Sequence, residues 1–359
     1  MERILVIQHK MIGDVLTSSI LFDVLRKEYP EAQLEYLVNE NTLAVVENNP
    51  NIDQVHTYLP VYDQNIRARK AFYAGMEQEK YELIIDVYAK LRSARMCKAF
   101  GPKQSVSYHK WYTSFCYKKT VKPATTTSKD EGLAITNRML LLEELGISSS
   151  EIPKPKIYLQ TAEIEQAKQN MAQAGISNAA TVFMIGAFGS NQVKTYPIQY
   201  KAKVLDELVA TTDATLLFNY IPSQKQDLEA LIALCNTKTQ QHSRADVYGA
   251  GLRDFLALCS QCDALIGNEG GAVTMAKALD IPSFSIFSPW ILKSAWNSYE
   301  ASGFNASIHL SDLKPELYQK HPKKYKKKAA EMYQELLPEF VMEKLNLFLD
   351  HHGFAGSKP

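Results

Sequence analysis

Ala264-Leu-Ile-Gly-Asn-Glu-Gly-Gly-Ala-Val-Thr-Met-Ala-Lys-Ala-Leu-Asp-Ile-Pro-Ser-Phe-Ser-Ile-Phe-Ser-Pro289 is the stretch that decides the fold. Ala264 to Ile266 is a short apolar run. Gly270 and Gly271 allow a sharp reversal of the backbone. Ala272 to Leu279 has helical composition, and Pro282 marks the end of that helix. Ser283 to Phe287 reads as a second strand. Strand, tight turn, helix and strand make a βαβ unit and hence a parallel sheet. In such a unit the free N–H groups of the helix start lie just beyond the strand end, a site suited to a diphosphate. Glu269 stands at the lip of the turn, where a carboxylate can accept hydrogen bonds from sugar hydroxyls. An ordinary turn with a surface glutamate fits the spacing equally well.

Upstream, the same alternation continues. Thr181 to Ile185 is a strand, Gly186 to Tyr196 a loop, and Pro197 opens a helix to about Ala210. Thr215 to Asn219 is the next strand, followed by a helix from Gln224 to Leu234 and another from Arg253 to Cys259. Lys194, in the loop before Pro197, is a candidate partner for a leaving diphosphate, and Ser190 could donate to the same group. A lone loop lysine is otherwise simply solvated. Downstream, Lys314 to Lys328 holds seven lysines against one acid, Glu316. That is either a solvated helix start or a patch for anionic lipid. A long helix to about Leu349 follows.

The first half opens the same way. Arg3 to Gln8 is a strand, His9 to Gly13 a loop, Asp14 to Glu28 a helix and Gln33 to Val38 a strand. Gly13 stands alone where a dinucleotide site would need G-x-G-x-x-G, so a Rossmann dinucleotide site is not expected. Asp14 lies at the helix start, at the carboxyl end of the first strand. A helix cap and a general base both fit it. From Lys90 to Lys122 there are nine Lys or Arg residues and no acid, interleaved with Trp111, Tyr112, Phe115 and Tyr117. This is a surface for an anionic partner such as a phosphorylated lipid, or a solvated loop with a few core aromatics. Ser148 to Pro155 has the composition of an interdomain connection.

At 359 residues the chain has room for two domains, and its net charge of +1 argues against a nucleic-acid polycation. Five scattered cysteines read as reduced thiols, with Cys259 and Cys262 as buried structural residues. No signal peptide or apolar run of membrane-spanning length is read in the sequence. The expected organisation is an N-terminal Rossmann-like domain over 1–155, a C-terminal one over 156–328, and a C-terminal helix and tail over 329–359.

These residues together resemble the ADP-heptose:lipopolysaccharide heptosyltransferases, glycosyltransferase family 9. Ile4-Leu-Val-Ile-Gln-His-Lys-Met-Ile-Gly-Asp-Val-Leu16 is similar to the family's strand, loop and Gly-Asp-Val. Tyr81-Glu-Leu-Ile-Ile-Asp86 with Leu91-Arg-Ser-Ala94 resembles its central N-domain strand, and Lys194-Thr-Tyr-Pro197 its Lys-x-Trp-Pro. Glu269-Gly-Gly271 through Pro282 and Phe287-Ser-Pro289 resembles its Asp-x-Gly, Pro and Phe-Gly-Pro. The resemblance implies a GT-B fold: α/β, two doubly wound domains facing across a cleft, with the last helix packing back toward the N-terminal domain. It implies Asp14 as catalytic base. On the donor it implies Ser190 and Lys194 at the phosphates, Glu269 at the sugar, Gly270, Gly271 and Ala272 as backbone contacts, and Gln224 at the ribose. Candidates on the acceptor side are Lys10, Gly13, Arg92 and Lys110. The chain departs from the family at Glu269 for Asp, Thr274 for His and Gln224 for Glu, all on the donor side.

The activity implied is inverting, metal-independent transfer of a heptose or related sugar from a nucleotide-sugar donor, ADP-heptose in the family. The acceptor is an anionic lipid or oligosaccharide of the lipopolysaccharide type. No cofactor, metal or nucleic acid is expected, and no Asp-x-Asp metal motif appears. The expected location is cytoplasmic, with peripheral association at the inner face of an anionic membrane. Two rivals are a nucleotide-sugar epimerase on a similar fold and a non-catalytic sugar-nucleotide or lipid-binding relative.

Overall fold

The structure, a computed structural model, describes residues 1–355 of the 359. The chain divides into two compact units, one ending at Tyr158 and the other beginning at Leu159. The first is built on strands β1 (Arg3–Ile7), β2 (Gln33–Asn39), β3 (Gln54–Tyr58), β4 (Leu83–Asp86), β5 (Gln104–Tyr108) and β6 (Lys119–Val121). They form one sheet in the order β3-β2-β1-β4-β5-β6, and every pairing is parallel. The second unit holds β7 (Val182–Gly186), β8 (Thr215–Asn219), β9 (Ala264–Asn268), β10 (Ser283–Ile286) and β11 (Asn305–Ile308). Its order is β11-β10-β9-β7-β8, again all parallel.

The central strands read as unbroken apolar runs because crossover helices cover both faces of a parallel sheet. Ile4 to Ile7 and Leu83 to Ile85 are fully buried. In the second unit Phe183, Ile185, Leu216, Phe218, Ile266, Phe284 and Ile286 share one core. The quoted stretch folds as read, with strand β9, helix Gly271–Ala278 and strand β10.

Four local readings change. The helix expected over 14–28 starts at Ile12 and breaks at Ser19 into Ile12–Ser18 and Ile20–Glu28. The Ser18 and Ser19 hydroxyls donate to the carbonyls of Asp14 and Leu16, a local competition that interrupts helices. The basic run is not one loop: it contains the helix Leu91–Phe100, β5 and β6. Met96, Cys97, Phe100 and Val106 point inward there, and the charges occupy the other faces. The long C-terminal helix is two, Ala329–Tyr333 and Pro338–His351, with Pro338 opening the second where its missing N–H costs nothing. Val341, Leu345, Phe348 and Leu349 of that last helix lie in the second unit's own core. β3 and β11 have no clear signal, being short strands of mixed polarity at the sheet edges. All five cysteines are free, and Cys259 and Cys262 are buried.

Candidate active site

In each sheet the strand order reverses at one place. Successive connections leave in opposite directions there and open a crevice beyond the strand ends. In the first unit it lies between β1 and β4. Asp14 stands in the first turn of the helix after β1. Its Oδ1 is 3.0 Å from Nη2 of Arg138, while Oδ2 faces the Met11 N–H at a long 3.4 Å. Arg138 is 5% exposed, and its other donors are spent on Ser18 Oγ, Ala134 O and Asp14 O. So the guanidinium fixes one carboxylate oxygen through a rigid fork. Oδ2 has only that one long hydrogen bond. The helix cap itself is Met11, and Asp14, at the third helical position, faces its N–H.

The acceptor-side candidates differ in availability. Lys10 is exposed, and Gly13 lies in the same first helical turn as Asp14. Arg92 pairs with Asp63 at 2.9 Å and lies over the Tyr58 ring at 5.4 Å. Lys110 turns inward and donates to Ala89 O at 2.6 Å, which pins the basic loop to the segment after β4; burial lowers its pKa. His9, beside them, is buried and stacked on Tyr58. Burial first, then the Arg92 charge, lowers its pKa to about 3, so the ring is neutral.

In the second unit the reversal lies between β7 and β9. Lys194, at the end of the loop after β7, places its ammonium 3.0 Å from Oε1 of Glu269, the residue after β9. Glu269 is 7% exposed, so its carboxylate is largely shielded from water, while the Lys194 side chain is part-exposed. Gly270 has a φ of +150°, a conformation that side chains resist, and this sends the chain directly into the helix Gly271–Ala278. The N–H groups of Gly271 and Ala272 are among the helix-start donors without an intrahelical acceptor. Thr274, in the same first turn, donates to Gly270 O at 3.4 Å. Gly189 lets the β7 loop fold on itself: a Cβ there would press on the Lys194 backbone. Ser190 follows it, exposed. Gln224 accepts from Ile221 N at 3.1 Å, just beyond β8. Lys194, Glu269, Gly270, Gly271, Ala272 and Thr274 thus converge. Ser190 shares the Lys194 loop, and Gln224 stands one strand over.

Four residues of these sites were not singled out in the sequence. Arg138 is the one basic residue in the largely apolar helix Gly132–Glu143, which is its signal in the sequence. Asn268, the last residue of β9, accepts from Tyr196 N at 2.8 Å and donates to Gly186 O and Ala187 O at 3.1 Å each. It therefore ties both ends of the Lys194 loop to β9. Lys201, 2% exposed, donates to the same two carbonyls, and burial lowers its pKa to about 7. Trp290 donates from Nε1 to Val193 O at 3.2 Å, next to Lys194.

The sequence profile of "Glycosyltransferase family 9 (heptosyltransferase)" matches residues 69–327. The lipooligosaccharide heptosyltransferase 2 of Haemophilus ducreyi is 23% identical over 296 residues, covering 78% of this chain and 81% of that one. Among solved structures, the glycosyl transferase family 9 protein of Veillonella parvula superposes with a TM-score of 0.79 at 17% identity, over 97% of this chain and 98% of its own. The Escherichia coli ADP-heptose lps heptosyltransferase II does so with a TM-score of 0.72 at 16% identity, over 98% and 99%. At such identities the structural likeness establishes the fold.

Proposed function

Because the chain belongs to glycosyltransferase family 9, the heptosyltransferases, and has their GT-B fold, we propose that it transfers a heptose from ADP-heptose to a lipopolysaccharide-type acceptor. The transfer inverts the anomeric carbon and uses no metal ion. Membership in a transferase family decides against the epimerase reading. The donor is read from the relatives named for it and from the site described above. The observation that carries the reading is the convergence of Lys194, Glu269 and the start of helix Gly271–Ala278 beyond β9. A cation and outward N–H groups suit a departing diphosphate, and a carboxylate beside them suits sugar hydroxyls, which supports the reading.

In this mechanism Asp14 Oδ2 takes the proton of an acceptor hydroxyl as that oxygen bonds to the anomeric carbon. The bond from that carbon to the phosphate oxygen breaks on the opposite face, and ADP departs with the electron pair. Lys194 and the Gly271 and Ala272 amides meet the developing charge. Arg138 holds Asp14 in place throughout.

An acceptor anchored in lipid brings the enzyme to a membrane surface, at the cytoplasmic face where the nucleotide sugar is found. Trp111 is 86% exposed and Phe115 72% exposed, on a loop between β5 and β6 flanked by exposed Lys118. Exposed aromatics beside lysines suit an anionic headgroup layer. The deciding experiment offers ADP-heptose and other nucleotide sugars, each with and without a deacylated or intact lipopolysaccharide core acceptor. Transfer of heptose that depends on acceptor, with the anomeric configuration inverted, is expected. Transfer from a different nucleotide sugar would overturn the donor assignment, and binding of donor without turnover on any acceptor would favour the non-catalytic reading.

A further inference from the structure

The lysine run 314–328 has no part in the reading above, yet the fold brings one of its members to the donor side. Lys326 Nζ lies 5.1 Å from the centre of the Trp290 ring, and Lys194 Nζ lies 5.7 Å from the same ring. The indole is fixed to the Lys194 loop. Its Nε1 and the Ser288 hydroxyl both donate to Val193 O. The lysine segment is fixed to the indole's own loop in turn. Tyr318 donates to Pro289 O at 2.9 Å, Tyr325 packs on Tyr318, and Lys320 N donates to the Tyr325 hydroxyl oxygen at 3.0 Å. Lys326 is therefore placed beside the indole by a chain of ring and hydrogen-bond contacts, and it is exposed, as are Lys323, Lys324 and Lys327 around it.

The charge balance gives this placement its meaning. Glu269 is paired with Lys194 at 3.0 Å, so those two alone present no net charge to an anion. A diphosphate needs an excess of positive charge where it binds. Lys326, exposed and without an ion pair among the described residues, supplies one. Two ammonium groups beside one indole repel each other, and a shared anion removes that repulsion. We infer that Lys326 is a phosphate-binding residue of the donor site, acting with Lys194 across Trp290 on the diphosphate of the nucleotide sugar. The inference rests on the donor reading for the identity of the nucleotide but not for the phosphate chemistry.

The test compares the parent with Lys326→Met and with Lys327→Met, a neighbour of equal charge. Binding of ADP, inorganic diphosphate and adenosine is measured by calorimetry at low and high salt, and sedimentation with anionic liposomes is measured beside it. For Lys326→Met the expected result is roughly five- to tenfold weaker binding of ADP and of diphosphate at low salt, narrowing as salt screens the charge. Adenosine and liposome binding should match the parent, and Lys327→Met should match it throughout. Unchanged ADP and diphosphate affinity in Lys326→Met overturns the inference. So does an equal loss in Lys327→Met, which would mean a diffuse field, or an equal loss for adenosine, which would mean a damaged fold. Loss confined to liposomes would assign Lys326 to lipid phosphate instead. If the parent binds diphosphate through Lys326 but not ADP, the donor reading falls and Lys326 stands; if it binds neither, both fall.

Discussion

Asp14 has one oxygen committed to Arg138 and the other lightly held, so substitution can separate its two roles. Asp14→Asn keeps the shape and an oxygen to accept from Arg138, but puts an amide NH2 in place of Oδ2, which removes the basic oxygen and its long contact with the Met11 N–H. Turnover should fall roughly 100-fold or more with donor affinity nearly intact. Ordinary transfer by that variant, measured at saturating donor, would reduce Asp14 to a partner of Arg138. Lys194 lies in the second unit, in the loop after β7, and in the proposed mechanism serves the leaving group. Lys194→Ala should weaken ADP binding and leave Glu269 as an unpaired, largely buried carboxylate facing the anion. The loss should shrink as salt rises, and equal calorimetric affinities at low salt would remove Lys194 from the site. Both residues stand in short sequence motifs in the segments that follow β1 and β7, so the sequence alone singles them out as candidates. Arg138 is not singled out, since it lies 124 residues from Asp14 and only the packed fold makes them neighbours.

At the scale of elements, the β7 loop illustrates what sequence can and cannot show. Its position between a strand and a helix follows from Val182 to Gly186 and from Pro197, which read plainly. Its fastening does not: Asn268 and Lys201 close its base by hydrogen bonds to Gly186 O and Ala187 O. Its spacing to Val204, Leu205 and Leu208 puts Lys201 on the apolar face of the helix Ile198–Thr212, but a long lysine at the first turn of such a face can equally reach out to water. The consequence of its burial is a pH dependence of stability. Burial lowers the Lys201 pKa to about 7 in the folded protein, against an ordinary lysine at 10.5. Between those values the unfolded chain binds the extra proton, so stability rises with pH across that window. Below about 7 both states are protonated, and the cost of the buried ammonium is felt in full. Lys201→Met should therefore be more stable than the parent near pH 6, by up to a few kcal/mol, with the difference fading toward pH 10. Denaturant midpoints at the two pH values check this. A variant less stable at pH 6 would show that the two carbonyl bonds outweigh the burial.

At the scale of the whole molecule, the alternation of strands and helices was readable in both halves. Their different strand orders, which set where the two crevices open, became visible only in the structure. The basic run shows the same limit. Its charges were plain, but Tyr117 turns inward to donate to Asp86 at 2.5 Å while Trp111 and Phe115 turn out. Lys110 and Lys119 are tied to the carbonyls of Ala89 and Glu144, so charge reversal there would disturb the loop as well as any membrane contact. The cleaner variant replaces Trp111 and Phe115 with serine. The parent should sediment with anionic liposomes in a salt-sensitive way and ignore neutral ones, and the double variant should lose that binding while keeping ADP affinity. Undiminished sedimentation of the variant would point to another surface.

The chain has three tryptophans, Trp111, Trp290 and Trp296. Trp111 stands almost wholly in water on the aromatic loop, and Trp290 lies beneath the ammonium groups of Lys194 and Lys326. The protein thus contains its own optical reporters. Filling the diphosphate site should change the emission intensity of Trp290, because the charges beside its ring are rearranged. Contact with a bilayer should shift the emission of Trp111 to the blue, because its ring leaves water. Titrating nucleotide and vesicles in either order would then reveal whether one event alters the other, with no label attached. A Trp290→Phe variant that still gives the full nucleotide response would show that the signal arises elsewhere.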